Sequence, residues 1–259
     1  MTNPRAAVQL IVFGSRNRSD FPGVLQDIAA AGFPAIEAGN LFDQLTEPVA
    51  RDLLAENGLG VSGAHFGYGE FADDARIEHH LAYMNALGIR YLMCSGVADS
   101  GSLAGYKASA ARFNDIGRMA RAAGAQFCYH NHAWEFTPQD GGCGMDVLLA
   151  ETDPDLVGLN LDVYWLYYAN RDPAAFIAAN HARAHYYHFK DGNRQRDAEG
   201  KVHPRFLELG RGEVDLDSAM AAAREAGAEW IVAEQDSTDL PHRESVTISR
   251  RYMRDRLGV

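Results

Sequence analysis

The residues best able to do chemistry lie between Phe127 and Phe136, in the run FCYHNHAWEF. The run opens as a short β-like stretch, Gln126–Tyr129, directly after a helical segment that stops at Gly124. It then delivers His130 and His132 two positions apart, followed by the carboxylate Glu135. Alternate residues of an extended chain face the same side, so both imidazoles can share one pocket. Imidazole nitrogens at that spacing suit a borderline cation such as Zn²⁺ or Mn²⁺. One histidine alone would be ordinary core packing; two with a glutamate at a strand's end mark a candidate site.

The elements that must position this run are written along the chain as alternating short apolar runs and amphipathic helical runs. The expected strands are Gln9–Phe13, Ala35–Glu37, Gly60–His65, Ile89–Cys94, Gln126–Tyr129, Val157–Asp162, Ala184–His188 and Trp230–Glu234. Between them, Ser19 or Asp20 caps a helix running to Ala31, and further helices cover Pro48–Asn57, Arg76–Leu87, Tyr106–Ala123, Asp146–Glu151 and Pro173–Asn180. Leu216, Ala219, Met220 and Ala223 form another helical stripe, and Glu244–Leu257 is a last helix. Gly58, Gly88, Gly124 and Gly227 fall where helices must end, since glycine accepts the left-handed cap conformation. Eight strand–helix pairs in 259 residues predict an α/β chain folded as a single (β/α)₈ TIM barrel, one domain over 1–259. An open doubly wound sheet would carry a glycine-rich phosphate loop after its first strand, and Gly14-Ser15-Arg16-Asn17 is not one. The stretch 191–215 reads as a long irregular loop on the face that bears barrel active sites.

Strand ends then supply a converging set: Glu37, His65, His130, Asn131, His132, Asp162, His188, Lys190, Asp191 and Glu234. In a closed barrel these ends form one ring, however distant in sequence. His79, His80, His181, His185 and His242 fall elsewhere and read as structural, as do Cys94, Cys128 and Cys143. An odd cysteine count without metal-type spacing fits a reducing, cytoplasmic setting. A net charge of −11 argues against a nucleic-acid partner, and no apolar run approaches the ~20 residues of a membrane span.

The landmarks YHNHAWEF (129–136), LDVYW (161–165), HFKDG (188–192), ELGRGEVD (208–215) and VAEQD (232–236) resemble the xylose-isomerase-like barrel superfamily, the sugar phosphate isomerases and epimerases. That resemblance implies one divalent metal held at the ends of strands five to eight, here by His130, Asp162, His188 and Glu234. Epimerases of the superfamily carry glutamate where this chain has His130, and a histidine there is similar to inosose dehydratases and related keto-sugar lyases.

The chemistry implied is proton removal beside a carbonyl, through an enediolate, with Mn²⁺ first and Zn²⁺, Co²⁺ or Mg²⁺ as alternatives. Glu234 is the expected base, with His130 or Glu135 completing proton delivery. Lys190 holds an oxyanion, protonates a leaving hydroxyl, or pairs structurally with Asp191. Glu37, His65, His132, Trp134, Trp165 and Arg211 are the expected substrate contacts, the tryptophans covering a sugar ring and the arginine clamping a polar substituent from a lid over 191–212. The expected substrate is a small sugar, sugar phosphate or cyclitol, and a homo-oligomer is compatible with the chain. Isomerisation or epimerisation stands first, β-elimination by an inosose dehydratase or 3-keto-glycoside lyase second. A metal-dependent DNA-repair endonuclease stands last, because its phosphate-binding face would have to be basic.

Overall fold

A computed structural model describes residues 3–39 and 41–259. Eight parallel strands close into a barrel: β1 (Arg5–Gln9), β2 (Ala35–Ala38), β3 (Gly60–Gly67), β4 (Tyr91–Ser95), β5 (Gln126–His130), β6 (Val157–Asp162), β7 (Ala184–Phe189) and β8 (Trp230–Ala233). Each pairs with its sequence neighbours, and β1 closes the ring on β8, with Ala7 opposite Val232. The surrounding helices are α1 (Phe21–Ala31), α2 (Glu47–Glu56), α3 (Asp74–Leu87), α4 (Leu103–Ala122), α5 (Gly144–Glu151), α6 (Pro173–Ala179), α7 (Leu216–Glu225) and α8 (His242–Tyr252). No described helix is long and apolar enough to cross a membrane.

Local chemistry sets the boundaries. Asp20, rather than Ser19, caps α1 by accepting from the Gly23 N–H at 3.2 Å. Gly32 and Gly88 end α1 and α3 at positive φ. On α7 the buried residues are Leu216, Ala219, Met220 and Ala223, the stripe of helical spacing seen in the sequence.

Burial divides into two separate cores, because successive strand residues face opposite sides. Val8, Ile36, Leu92, Phe127, Leu159, Tyr187 and Ile231 face outward and pack with the helices. Ala7, Ala35, Tyr91, Met93, Cys128, Tyr186, Trp230 and Val232 face inward and plug the barrel below its carboxyl end. Four large side chains fit there only because others are small. A Cβ on Gly63 would stand 2.6 Å from Met93 Cε and 3.2 Å from the Tyr186 hydroxyl.

Two expectations need correction. The first strand is Arg5–Gln9, not Gln9–Phe13; the apolar run Leu10–Phe13 is a 3₁₀ turn burying Leu10, Val12 and Phe13. The small residues Ala6 and Ala7 flank the closing seam, so periodicity of bulk pointed one segment too far along. The stretch 191–215 is not irregular, since Asp191–Arg196 pairs antiparallel with Val202–Leu207 as a hairpin. LDVYW also enters a short helix, Val163–Tyr168, whose first turn is capped by Asp162 through the Trp165 N–H at 2.9 Å.

Past the hairpin the chain is tied by one carboxylate. Asp191 Oδ2 accepts from Gly210 and Gly212, both at 2.9 Å, and Oδ1 accepts from Gly192 at 2.8 Å and Val214 at 3.2 Å. A side chain at Gly212 would collide with that carboxylate, which explains the glycine there.

The interior plug generates a stability prediction. Gly63→Ala is expected to cost about 1–3 kcal/mol through overpacking, read as a lower urea midpoint at unchanged slope. An unchanged midpoint would mean that Met93 and Tyr186 yield freely.

Candidate active site

The inward face of each strand continues two residues past the plug, and there its chemistry changes. Ala35 is followed by Glu37, Gly63 by His65, Cys128 by His130, Asn160 by Asp162, Tyr186 by His188 and Val232 by Glu234. Strand register sets Asp162 beside His188, and His188 beside Val232, the residue two before Glu234. The apolar plug floors the pocket, and the polar ring above it is buried throughout except for slight exposure at His65.

His130, Asp162, His188 and Glu234 each offer a ligand atom, all within 4.8 Å of one another, and His65 makes a second such group with His130 and His188. His130 Nδ1 is buried with no hydrogen-bond partner, and Asp162 Oδ2 has only the Lys190 ammonium, 3.4 Å away. Buried polar atoms are normally satisfied, and two imidazoles with two carboxylates are the donors a borderline divalent cation takes. These residues therefore fit a metal ion.

His188 is bracketed by carboxylates: Nδ1 lies 2.8 Å from Glu234 Oε2 and Nε2 lies 2.6 Å from Glu37 Oε2. Burial alone would lower its pKa, but Glu37 and Glu234 override it and raise it to about 10. For Glu37, burial works upward, but His188 and His65 pull it down to about 2. Both of its oxygens have partners, Oε1 with His65 Nδ1 at 3.0 Å and Oε2 with His188 and with the Tyr186 hydroxyl at 2.8 Å. Burial would likewise raise Glu234, yet Lys190 and His188 hold it well below the carboxylate range. Asp162 is shifted upward by burial. Burial also depresses His130 well below the imidazole range and takes His132 to about 3, so both are neutral near pH 7.

Lys190 is fully buried and meets three carboxylates: Asp236 at 2.8 Å, Glu234 at 3.1 Å and Asp162 at 3.4 Å. The alternative pairing with Asp191 is not formed, since that carboxylate is taken by backbone N–H groups. His132 stacks on Trp134 at 3.9 Å between centroids and stands 4.8 Å from His130. Trp165 lies 5.4 Å from His132, with Lys190 Nζ 5.2 Å from its ring centre.

Two expected members stand apart. Glu135 accepts from the Tyr129 hydroxyl at 2.7 Å and from the His132 N–H at 2.9 Å. Tyr129 faces α4, stacking at 5.2 Å on Phe113, so Glu135 lies behind the strand, on the helix side rather than in the ring. Burial pushes its pKa up to about 7. Arg211 is half-exposed and pairs with Glu208 at 3.2 Å, not with any ring residue. Conversely, Tyr186, Asp236 and Phe206 were not singled out in the sequence. The inward parity of β7 marks Tyr186 and the landmark VAEQD contains Asp236, but no local signal brings the hairpin residue Phe206 to within 5.2 Å of Lys190.

Set beside known proteins, this geometry has company. An inosose dehydratase from Lacticaseibacillus casei is 25% identical over 271 residues, spanning 90% of this chain and 88% of its own. A sugar phosphate isomerase/epimerase from Parabacteroides distasonis superposes with a TM-score of 0.81 at 21% identity, over 98% of this chain and 95% of that one. A xylose isomerase-like barrel from Mycobacterium smegmatis, in complex with magnesium, gives a TM-score of 0.78 at 19% identity over 99% and 97% of the two chains. Residues 25–256 match the family described as xylose isomerase-like TIM barrel, so nearly the whole barrel carries the family's pattern, and the chain belongs to that family.

Proposed function

We propose that this chain is a sugar-modifying enzyme that eliminates a β-oxygen from an unphosphorylated keto-cyclitol or keto-sugar, with one divalent metal, Mn²⁺ first, held by His130, Asp162, His188 and Glu234. The observation that carries the choice of reaction is the engagement of Glu37. Epimerisation needs two proton-transfer groups on opposite faces of the substrate; Glu37 stands two strands from Glu234, on the other nitrogen of the same His188 imidazole, and already holds His65, His188 and the Tyr186 hydroxyl. Elimination needs only one. We therefore place elimination ahead of isomerisation and epimerisation, in line with the inosose dehydratase relatives.

When bound, the metal polarises the substrate carbonyl and so acidifies the neighbouring C–H. Glu234 is the base: its Oε2 is occupied by His188 and Lys190, while no described group bonds Oε1. Lys190, which stays charged when the metal is bound, holds it ionised and so in the proton-accepting form. The proton taken at Oε1 then passes to the departing hydroxyl, so a single carboxylate serves as base and acid in a syn elimination. Lys190 is raised above the lysine range, because three carboxylates outweigh its burial; this makes it a holder of negative charge rather than a proton donor. The backbone N–H groups after β7 that might have held a substrate phosphate are already taken by Asp191, which favours a neutral substrate. Three free, buried thiols accord with a cytoplasmic enzyme.

The roles are open to three measurements. With an inosose and Mn²⁺ in D₂O, the main product should have lost one water, whereas a deuterated epimer or isomer without water loss would overturn elimination. Glu234→Gln keeps an oxygen ligand but removes the basicity, and turnover should fall by about 10²–10⁴-fold or more; a normal rate would clear Glu234 of the role. Metal binding must also expel the His188 proton. With a pKa of about 10 in the metal-free protein, His188 is charged near neutrality, whereas a ligating imidazole is neutral. Burial raises Asp162 to about 7, so above that value His188 is the ligand left to deprotonate: Mn²⁺ affinity should rise about tenfold per pH unit between roughly pH 8 and 9, with one proton released in calorimetry, and a flat profile there would remove His188 from the ligand set.

A further inference from the structure

The first strand brings its own residue to the ring. Gln9 stands two positions past the inward Ala7 on β1 and beside Glu37 in register, on the strand between those that carry Glu37 and Glu234. It also lines an open cleft of about 230 Å³, together with Leu10, Ile11, Asn17, Glu37 and His65. Glu37 and His65 join this cleft to the reacting centre. Glu37 Oε2 lies 2.6 Å from His188 Nε2, and the His65 ring stands 4.7 Å from that of His130. The backbone fixes the roles of both carboxamides. Gln9 Oε1 accepts from the Ile11 N–H, which leaves the Nε2 donors of Gln9 with no described partner. Asn17 Nδ2 donates to the Leu10 carbonyl at 2.6 Å, so its Oδ1 is the acceptor that remains. Asn17 is 3% exposed, and that Oδ1 is buried without a partner. Buried amide oxygens are normally satisfied, so this one calls for a donor from a ligand. Ile11, 42% exposed, adds an apolar edge to the same cleft, and no described lysine or arginine lines it.

We propose that this cleft reads the hydroxyls of a neutral, polyhydroxylated ring, with Gln9 and Asn17 as the residues that set specificity. A hydroxyl both donates and accepts, and the cleft offers a partner for each: Gln9 Nε2 to donate and Asn17 Oδ1 to accept. The apolar C–H face of the ring rests against Ile11, while the end that reacts reaches the metal ligands past Glu37 and His65. A phosphate here would meet the Glu37 carboxylate with no described cation on the cleft wall to offset it. The inference rests on the proposed function for the metal's seat in the ring. It deepens that reading by naming the two side chains that recognise the substrate's unreacting hydroxyls.

Binding can be read without chemistry, by calorimetry on the Mn²⁺-loaded protein with two rings that carry no ketone. Both scyllo-inositol and trans-1,2-cyclohexanediol offer the metal a vicinal pair of hydroxyls, but only the inositol has hydroxyls left for the cleft. The inositol should bind at least tenfold more tightly, each amide–hydroxyl bond contributing about three- to tenfold. In Gln9→Met and in Asn17→Leu that ratio should fall about three- to tenfold, with the affinity for the diol unchanged. If Asn17→Leu does not fold, the ratio in Gln9→Met decides. Equal affinities in the unmodified protein, which would leave the cleft to water alone, overturn the subsite. So does a failure of both rings to bind, or a ratio that survives substitution because both rings weaken alike. The elimination reading fails separately: an inosose that loses no water while the ratio and its loss in the variants hold would overturn the reaction and leave the subsite standing.

Discussion

Three buried carboxylates, Glu37, Asp162 and Glu234, and the partly exposed Asp236 converge at the carboxyl end of the barrel. Like charges so close in a low-dielectric interior are costly unless cations are interleaved. Two interleave here: His188, between Glu37 and Glu234, and Lys190, among the other three. Much else follows from this constraint. His188 is held charged far above the imidazole range, Glu37 and Glu234 far below the carboxylate range, and Tyr186 rises from the plug to supply Glu37 with one more donor. A divalent cation among the same groups would take over the neutralising role that the His188 proton fills in its absence, so metal and proton compete for one site.

The same charge balance divides labour within the ring. Glu37 accepts from His65, His188 and the Tyr186 hydroxyl, while no described group bonds Glu234 Oε1. Neutral His130 and His132 bring ligand or hydrogen-bonding capacity without adding charge. The wall beside them is aromatic, with Trp165 and Phe206 each 5.2 Å from Lys190 Nζ. Drying strengthens every electrostatic contact in the pocket and favours a substrate with an apolar face.

Rigidity at the rim comes from groups that never touch the ring. Glu135 reaches back to Tyr129 behind β5, and Asp191 gathers four backbone N–H groups after β7. Each ties an active-site loop to the strand that precedes it, so side chains on loops are placed nearly as firmly as those on strands.

By itself the sequence determined the alternation of strands and helices, the glycine and aspartate signals at their ends, and the identities of the six ring residues from Glu37 to Glu234. Those features are local: helical period, strand parity and cap chemistry act over a few residues. Their places at strand ends put these residues in one ring, and the family resemblance picked out His130, Asp162, His188 and Glu234 among them. What lay outside its reach was partnership across the barrel. Glu37 and His188 are separated by 151 positions and meet only when β1 closes on β8, so the loss of Glu37 as a free carboxylate could not be read beforehand. Glu135 misled for a related reason: HNHAWEF suggests one pocket, but a 3₁₀ turn after His132 sends that carboxylate to the helix side. The first strand was misplaced because small Ala6 and Ala7, suited to a crowded seam, carry less hydrophobic signal than the Leu10–Phe13 turn beside them. The hairpin from Asp191 to Leu207 went unseen because its exposed polar strands have no apolar alternation, and only tertiary packing of Phe206 against Trp165 gives it a place.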